Sequence, residues 1–174
     1  MSHPSELTRY HCYEIFSQST GVEIRMSIKN QEENGIITSR SGRILLRFFK
    51  LTPKTKTDDV TQIRFICEPD EAFELSRIIC QVGTSAVPCK EKLHPHKFVS
   101  ADQGAETVTT LSVEKWERNG KAGFALTVGR GKDFISVPAP LVKFLFAGEF
   151  LKYLSTKQCW VERVDKTNLS KYAS

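Results

Sequence analysis

The sequence predicts an α+β fold of two tandem β-β-β-β-α repeats, on three observations. Two stretches, Thr61 to Val82 and Asp133 to Ser155, share one plan. Each runs from a short alternating strand (Gln62 to Cys67; Phe134 to Val137) through a proline (Pro69; Pro138) into apolar residues at three- and four-residue spacing. About four strand-like segments precede each helix, so the unit as a whole occurs twice. Turn-grade dipeptides, above all Asn119-Gly120, separate short alternating runs as antiparallel hairpins require.

In chain order, Tyr10 to Phe16 pairs with Val22 to Lys29 across the polar loop Ser17 to Gly21. In VEIRMSIK, Val22, Ile24, Met26 and Ile28 alternate with Glu23, Arg25, Ser27 and Lys29, the pattern of a strand with one face in a core and one in water. After the turn region Asn30 to Gly35, Arg43 to Leu51 places Ile44, Leu46 and Phe48 on one side and Arg43, Leu45, Arg47 and Phe49 on the other. Thr52 to Asp59 reads as a polar loop, and the fourth strand turns Ile63 and Phe65 in and Arg64 out. Phe73, Leu75, Ile78, Ile79 and Val82 form one face of the first helix. In the second repeat, Lys97 to Ala101 is the expected first strand. Thr107 to Glu117, Ala122 to Val128 and Phe134 to Val137 follow, divided by Arg118-Asn119-Gly120 and Gly129-Arg130-Gly131. The second helix has Leu141, Val142, Leu145, Phe146, Leu151 and Leu154 as its expected inner face. The chain thus divides into a flexible start (1–9), one domain (10–155) of repeats 10–82 and 97–155 joined by a linker (83–96), and a polar tail (156–174).

Composition narrows the classes of function. With 174 residues, 40% of them hydrophobic and 26% charged, the chain has the apolar material for one compact domain. No stretch approaches the eighteen or so apolar residues of a membrane span, and residues 1–9 lack a signal-peptide core, so an intracellular, membrane-free protein is expected. Five cysteines at irregular spacing argue against a disulfide framework. The net charge of +5 lies entirely in the second half, where 14 Lys and Arg face 9 Asp and Glu, against 11 and 11 in residues 1–87. Within residues 22–67, nine basic side chains face five acidic ones, while Glu68, Asp70, Glu71 and Glu74 crowd the first helix start, where carboxylates suit the dipole. The strands are basic and the first helix acidic.

Basic side chains on outward strand faces attract phosphates, and aromatic rings beside them stack unpaired bases. The candidates are Arg25, Lys29, Arg43, Arg47 and Arg64 in the first repeat and Lys115, Lys121, Arg130 and Lys132 in the second. Tyr13, Phe49, Phe98 and Trp116 are available for stacking. The plain alternative is an ordinary solvated face, but a basic bias on both sheets exceeds what solubility needs. Gly129-Arg130-Gly131-Lys132 leads into a strand, so it is a hairpin turn and no phosphate loop. Cys89, His94 and His96 match no standard zinc spacing, and no metal or cofactor is expected. His11-Cys12 falls in an alternating strand with no acid partner in register. No carboxylate pair, serine elbow or nucleotide fingerprint is present, and no enzymatic activity is expected.

The architecture of residues 10–155 resembles a superfamily that includes the Whirly proteins, the PUR-repeat proteins, the kinetoplastid guide-RNA-binding proteins and the positive-cofactor-four coactivators. Asn119-Gly120-Lys121-Ala122-Gly123-Phe124-Ala125-Leu126 is similar to the lysine-glycine-lysine-alanine-alanine-leucine segment of plant Whirlies. Ser41-Gly42-Arg43-Ile44-Leu45 is similar to the glycine-arginine-phenylalanine-leucine segment of PUR repeats, with isoleucine in place of the aromatic. The resemblance implies sequence-tolerant binding of single-stranded DNA or RNA on the sheets, with the helices packing the halves together and supporting oligomers. A non-enzymatic protein-interaction module using the apolar second helix is the alternative, and a β-barrel carrier is disfavoured by the duplicated helices. Because that helix is apolar almost all round, self-association to a dimer or higher oligomer is expected, with Phe144 and Leu151 on the partner side.

Overall fold

The computed structural model describes residues 10–51, 61–99 and 106–163, the side chains of 98 and 99 excepted. In the first repeat, β1 (Cys12–Phe16), β2 (Thr20–Glu33), β3 (Ile36–Lys50) and β4 (Gln62–Cys67) lead into α1 (Pro69–Thr84). In the second, β5 (Cys89–Lys92), β6 (His96–Val99), β7 (Glu106–Arg118), β8 (Lys121–Arg130) and β9 (Asp133–Ala139) lead into α2 (Leu141–Lys157), and β10 (Val161–Arg163) follows. Expectations for residues 1–9, the loop 52–59, residues 100 and 101, the Phe98 side chain and the chain from 164 onward lie outside the described residues.

Turn chemistry sets the hairpins. Asn34-Gly35 (φ 53° and 77°) joins β2 to β3, and Asn119-Gly120 (φ 51° and 72°) joins β7 to β8. Both residues of each pair sit in the left-handed region that a two-residue type I′ turn needs. The β2–β3 hairpin is longer than expected: the ladder runs from Thr20↔Lys50 to Glu33↔Ile36, with a register shift at Gln31/Glu32. Each repeat is an antiparallel meander, β1-β2-β3-β4 in sheet one and β5/β6-β7-β8-β9 in sheet two.

Two segments differ from expectation. Part of the segment read as a linker is a strand, because β5 and β6 lie along the same edge of β7. Lys92 pairs with Ser112 and His96 with Thr109, so one extra residue is accommodated between them. Pro95 lies in this break, where a residue with no N–H cannot donate to the ladder. The start of the expected tail also carries β10, which extends the β4 side of β3 through Val161↔Ser41. Gln158, almost fully buried, anchors it by donating from Nε2 to Ser27 O (2.8 Å) and Arg43 O (2.9 Å). A Cβ on Gly42 would lie 2.1 Å from Gln158 O, so only glycine lets the chain cross here.

The inner faces of both sheets and one side of each helix form a single core. Ile24, Ile44, Leu46, Phe48, Ile63 and Phe65 come from sheet one, and Leu111, Val113, Leu126, Val128 and Val137 from sheet two. In α1 the buried side is Ala72, Leu75, Ile79 and Val82, whereas Phe73, expected inside, is exposed. In α2 the phase differs from expectation: Phe144, Ala147, Leu151 and Leu154 are buried, and Leu141, Val142 and Phe146 are exposed. Gly148 decides this, since its missing side chain lets α2 approach Ile79 of α1, where a Cβ would stand 3.0 Å from Ile79 Cγ2. Phe144 and Leu151, assigned by sequence to a partner, are therefore core residues with no exposed surface, and Phe144 stacks on Phe124 at 4.9 Å. No helix among the described residues is long and apolar enough to cross a membrane.

Candidate nucleic-acid interface

Alternation turns Cys12, Glu14 and Phe16 of β1 to the outer face of sheet one, beside Arg25, Glu23 and Gly21 of β2. The β3 partners of Gly21, Glu23 and Arg25 are Phe49, Arg47 and Leu45, whose β4 partners are Gln62, Arg64 and Ile66. The structure thus brings Arg25, Arg47, Arg64 and Phe49 onto one surface. At its centre lies Glu23, which sequence reasoning placed in water but which is only 6% exposed. Arg47 grips its carboxylate with Nε (2.6 Å) and Nη2 (2.5 Å), and Arg25 Nε stands 3.0 Å from the other oxygen. Both Arg47 donors converge on one carboxylate oxygen, a charge-assisted contact that holds the guanidinium against Glu23 while the side chain stays partly exposed.

Aromatic rings continue this surface. The Arg47 guanidinium lies 5.3 Å from the Phe49 ring centroid, within cation–π range. The Phe49 ring covers Gly21, where a Cβ would come within 2.6 Å of it, and meets Phe16 edge-on at 5.8 Å. On sheet two the indole of Trp116 lies across Gly123 in the same manner, with a hypothetical Cβ 2.0 Å from the ring, and Arg118 stands 6.0 Å from the indole. Lys121, paired with Arg118 at the hairpin end, is exposed, as is Lys132 in the β8–β9 turn.

Other sequence candidates are engaged elsewhere. Tyr13 shares the phase of Ile15 and so faces inward, packing on Phe146 (4.7 Å) and Phe150 (5.9 Å) of α2; burial raises its phenol pKa. Lys115 shares the phase of Leu111 and Val113, and its Nζ donates to Ser85 O (2.5 Å) at the C-terminal end of α1. Arg43 pairs with Glu68 (2.7 Å) at the other end of that helix and donates to Ser41 Oγ and Gly42 O. Arg130 donates to Thr109 Oγ1 (3.1 Å) and to Arg64 O (3.0 Å), tying the sheets together. Lys29 is exposed beside a cleft whose lining includes His94 and His96. His96 stacks on Phe65 (4.2 Å) and its Nε2 meets Glu71 Oε1 at 2.6 Å. Among the described residues no three His, Cys, Asp or Glu side chains are grouped to hold a metal. Burial, and then Glu23, raises the Cys12 thiol pKa, which keeps it protonated and weakly nucleophilic.

Sequence reasoning missed Glu23, Phe16, Arg118 and Phe134. Phe16 and Phe134 (68% exposed) follow the outward phase of their strands and could have been found from it. The burial of Glu23 could not, because it depends on cross-strand pairing with Arg47. The centre of the outer face of sheet two is small and polar, with Ala125, Thr127, Ser112 and Ser136, and Thr127 Oγ1 donates to Ser136 Oγ at 2.8 Å; beside it Glu114 pairs with Lys90 of β5 at 3.4 Å.

No protein-family profile and no curated protein sequence matches the chain. Solved structures that share its fold include the following two. One is the plant transcriptional regulator PBF-2, with a TM-score of 0.53 at 13% identity over 88% of this chain and 84% of that one. The other is WHY1 from Arabidopsis thaliana, also at 0.53, with 15% identity over 90% of this chain and 88% of that one. The two ββββα repeats therefore form a Whirly-type fold.

Proposed function

We propose that the protein binds single-stranded nucleic acid, with the outer face of sheet one as the main platform and the Trp116 end of sheet two as its continuation. The observation that carries this reading is the Glu23-centred array, in which Arg47, Arg25 and Arg64 offer cations beside the rings of Phe49 and Phe16. Cations held by a buried carboxylate contact phosphates without first losing side-chain freedom, and open ring faces accept bases of any sequence. The fold shared with PBF-2, a plant transcriptional regulator, agrees with this reading. No activity beyond binding is invoked. The test is an anisotropy titration with oligo-dT, oligo-U and a duplex at two salt concentrations. Single strands should bind more tightly than duplex, with log affinity falling by about 0.7 per phosphate neutralised for each decade of salt. No binding at micromolar protein, or affinity indifferent to salt, would overturn the reading. The ratio of oligo-dT to oligo-U affinity gives the DNA-versus-RNA preference.

A second reading rests on α2. Val142 (78% exposed), Phe146 (52%) and Tyr153 recur at helical spacing on its outer side. Self-association through this stripe, in place of the Phe144/Leu151 side, would cover it. Val142→Glu with Phe146→Glu should then reduce the mass seen by light scattering while the far-ultraviolet dichroism is retained.

A further inference from the structure

The β1–β2 turn of sheet one and the Trp116 end of sheet two border an open surface groove of about 440 Å³, lined by Phe16, Ser17, Gln18, Trp116, Pro138 and Pro140 among others. We propose that this groove is a slot for one unpaired nucleobase of a bound single strand, flanked by Phe16 from the first repeat and Trp116 from the second. The proposal rests on the single-strand reading above and adds to it a defined occupant, and a reason for refusing duplex.

Four features support a planar, uncharged occupant joined to phosphates. Both flanking rings are held in place: Trp116 lies against the bare backbone of Gly123, and Phe16 lies edge-on to Phe49, itself seated on Gly21. Pro138 and Pro140 add rigid apolar surface that costs no side-chain entropy on binding. The polar lip is braced, since Thr20 N donates to Ser17 Oγ (3.0 Å) and Thr20 Oγ1 donates to Ser136 O (2.7 Å) of sheet two, while Gln18 offers an amide able both to donate and to accept. Cations stand beyond each ring, Arg47 past Phe49 and Arg118 over Trp116, where the flanking phosphates of an inserted nucleotide would run. A base within a duplex is stacked and paired and cannot enter without being extruded.

The protein has two tryptophans, so Trp160→Phe leaves Trp116 as the sole indole. Titrating this variant with labelled oligo-dT should quench its tryptophan emission in step with the rise in anisotropy. Phe16→Ala should weaken oligo-dT binding about 5- to 150-fold with an unchanged salt slope, since a stack and no ion contact is lost. An oligonucleotide of abasic sites should bind wild type and Phe16→Ala alike. If anisotropy reports binding while Trp116 emission stays flat and Phe16→Ala binds as wild type does, the slot is refuted and single-strand binding is confined to the Arg25, Arg47, Arg64 and Phe49 surface. If nothing binds, both fall. Trp160 donates to Gln158 Oε1 (2.8 Å), so should its replacement unfold the protein, wild type and Trp116→Phe are compared, and equal quenching in the two overturns the slot.

Discussion

The two sheets share a strand plan and an apolar inner face, yet their outer faces differ in chemistry. Sheet one stations Arg25, Arg47 and Arg64 around an almost buried Glu23, with Phe49 and Phe16 alongside. Sheet two presents a low floor of Ser112, Ala125, Thr127 and Ser136 beside a Glu114–Lys90 pair, with Trp116 and Arg118 at one end and Phe134 on the same face. A core restricts its residues by volume, so both inner faces converge on the same branched and aromatic types. An outer face is free of that restriction, so the two can diverge in charge and aromatic content while the fold stays the same.

Removing the centre of each face should give the largest contrast. Glu23→Ala leaves Arg47 and Arg25 facing one another without a counter-charge. Both guanidinium groups are over a third exposed and recover some hydration, so the expected loss is about 1–3 kcal/mol in urea denaturation, below that of a fully buried pair. Ser112→Ala at the centre of sheet two should change stability by less than about 0.5 kcal/mol. Equal losses would mean that the Glu23 array is not special.

The next contrast is in alkali. The groups with raised pKa values, Cys67, Cys12 and Tyr13, all belong to sheet one, and burial is the main cause for each. A thiol whose folded pKa is raised keeps its proton after the unfolded chain has lost it. The folded state then binds more protons, and stability falls as pH rises past the ordinary thiol value of 9.0. The slope for Cys67 should reach about 1.4 kcal/mol per pH unit above that point, with full stability retained below it. Cys67→Ala should flatten the decline; an unchanged slope in that variant would assign the alkaline loss elsewhere.

Smaller effects compare the two ring-on-glycine seats. Gly21→Ala should lift Phe49 and Gly123→Ala should lift Trp116, each costing roughly 1 kcal/mol, the lower end for an overpacked site because the rings can rotate outward. Gly123→Ala should also shift tryptophan emission, whereas Gly21→Ala should not. The smallest effect is expected at the exposed turns, where Lys121→Ala and Lys132→Ala should each shallow the salt dependence of binding by at most about 0.7 and leave thermal stability within error.

Much of this architecture was legible in the chain. Alternation in VEIRMSIK and RILLRFFK set the phase of β2 and β3, although Ile28 on the inner phase is exposed and Leu45 on the outer phase is buried, and Asn119-Gly120 set a two-residue turn. Arg25, Arg47, Arg64 and Phe49 were placed on one face by phase alone. Tyr13 and Lys115 were misread although their own strands carry the phase that turns them inward, with Ile15 and Val113 as the guide. The strand at Val161–Arg163 left no such trace, because three residues are too few to show a period.

By itself, the sequence determined which side of the long strands is apolar, since a period of two residues is a local property of the covalent chain. Only the tertiary structure decided which side of α2 is buried, because a helix apolar all round has no phase to read and the close approach of Gly148 to Ile79 selects one. It also decided that Arg43, Arg130 and Lys115 bind the protein's own carboxylate and carbonyls, while Arg47 is held against Glu23. Local pattern sets whether a charge faces out of its strand, but which partner it meets there depends on the register of strands and helices distant in the chain.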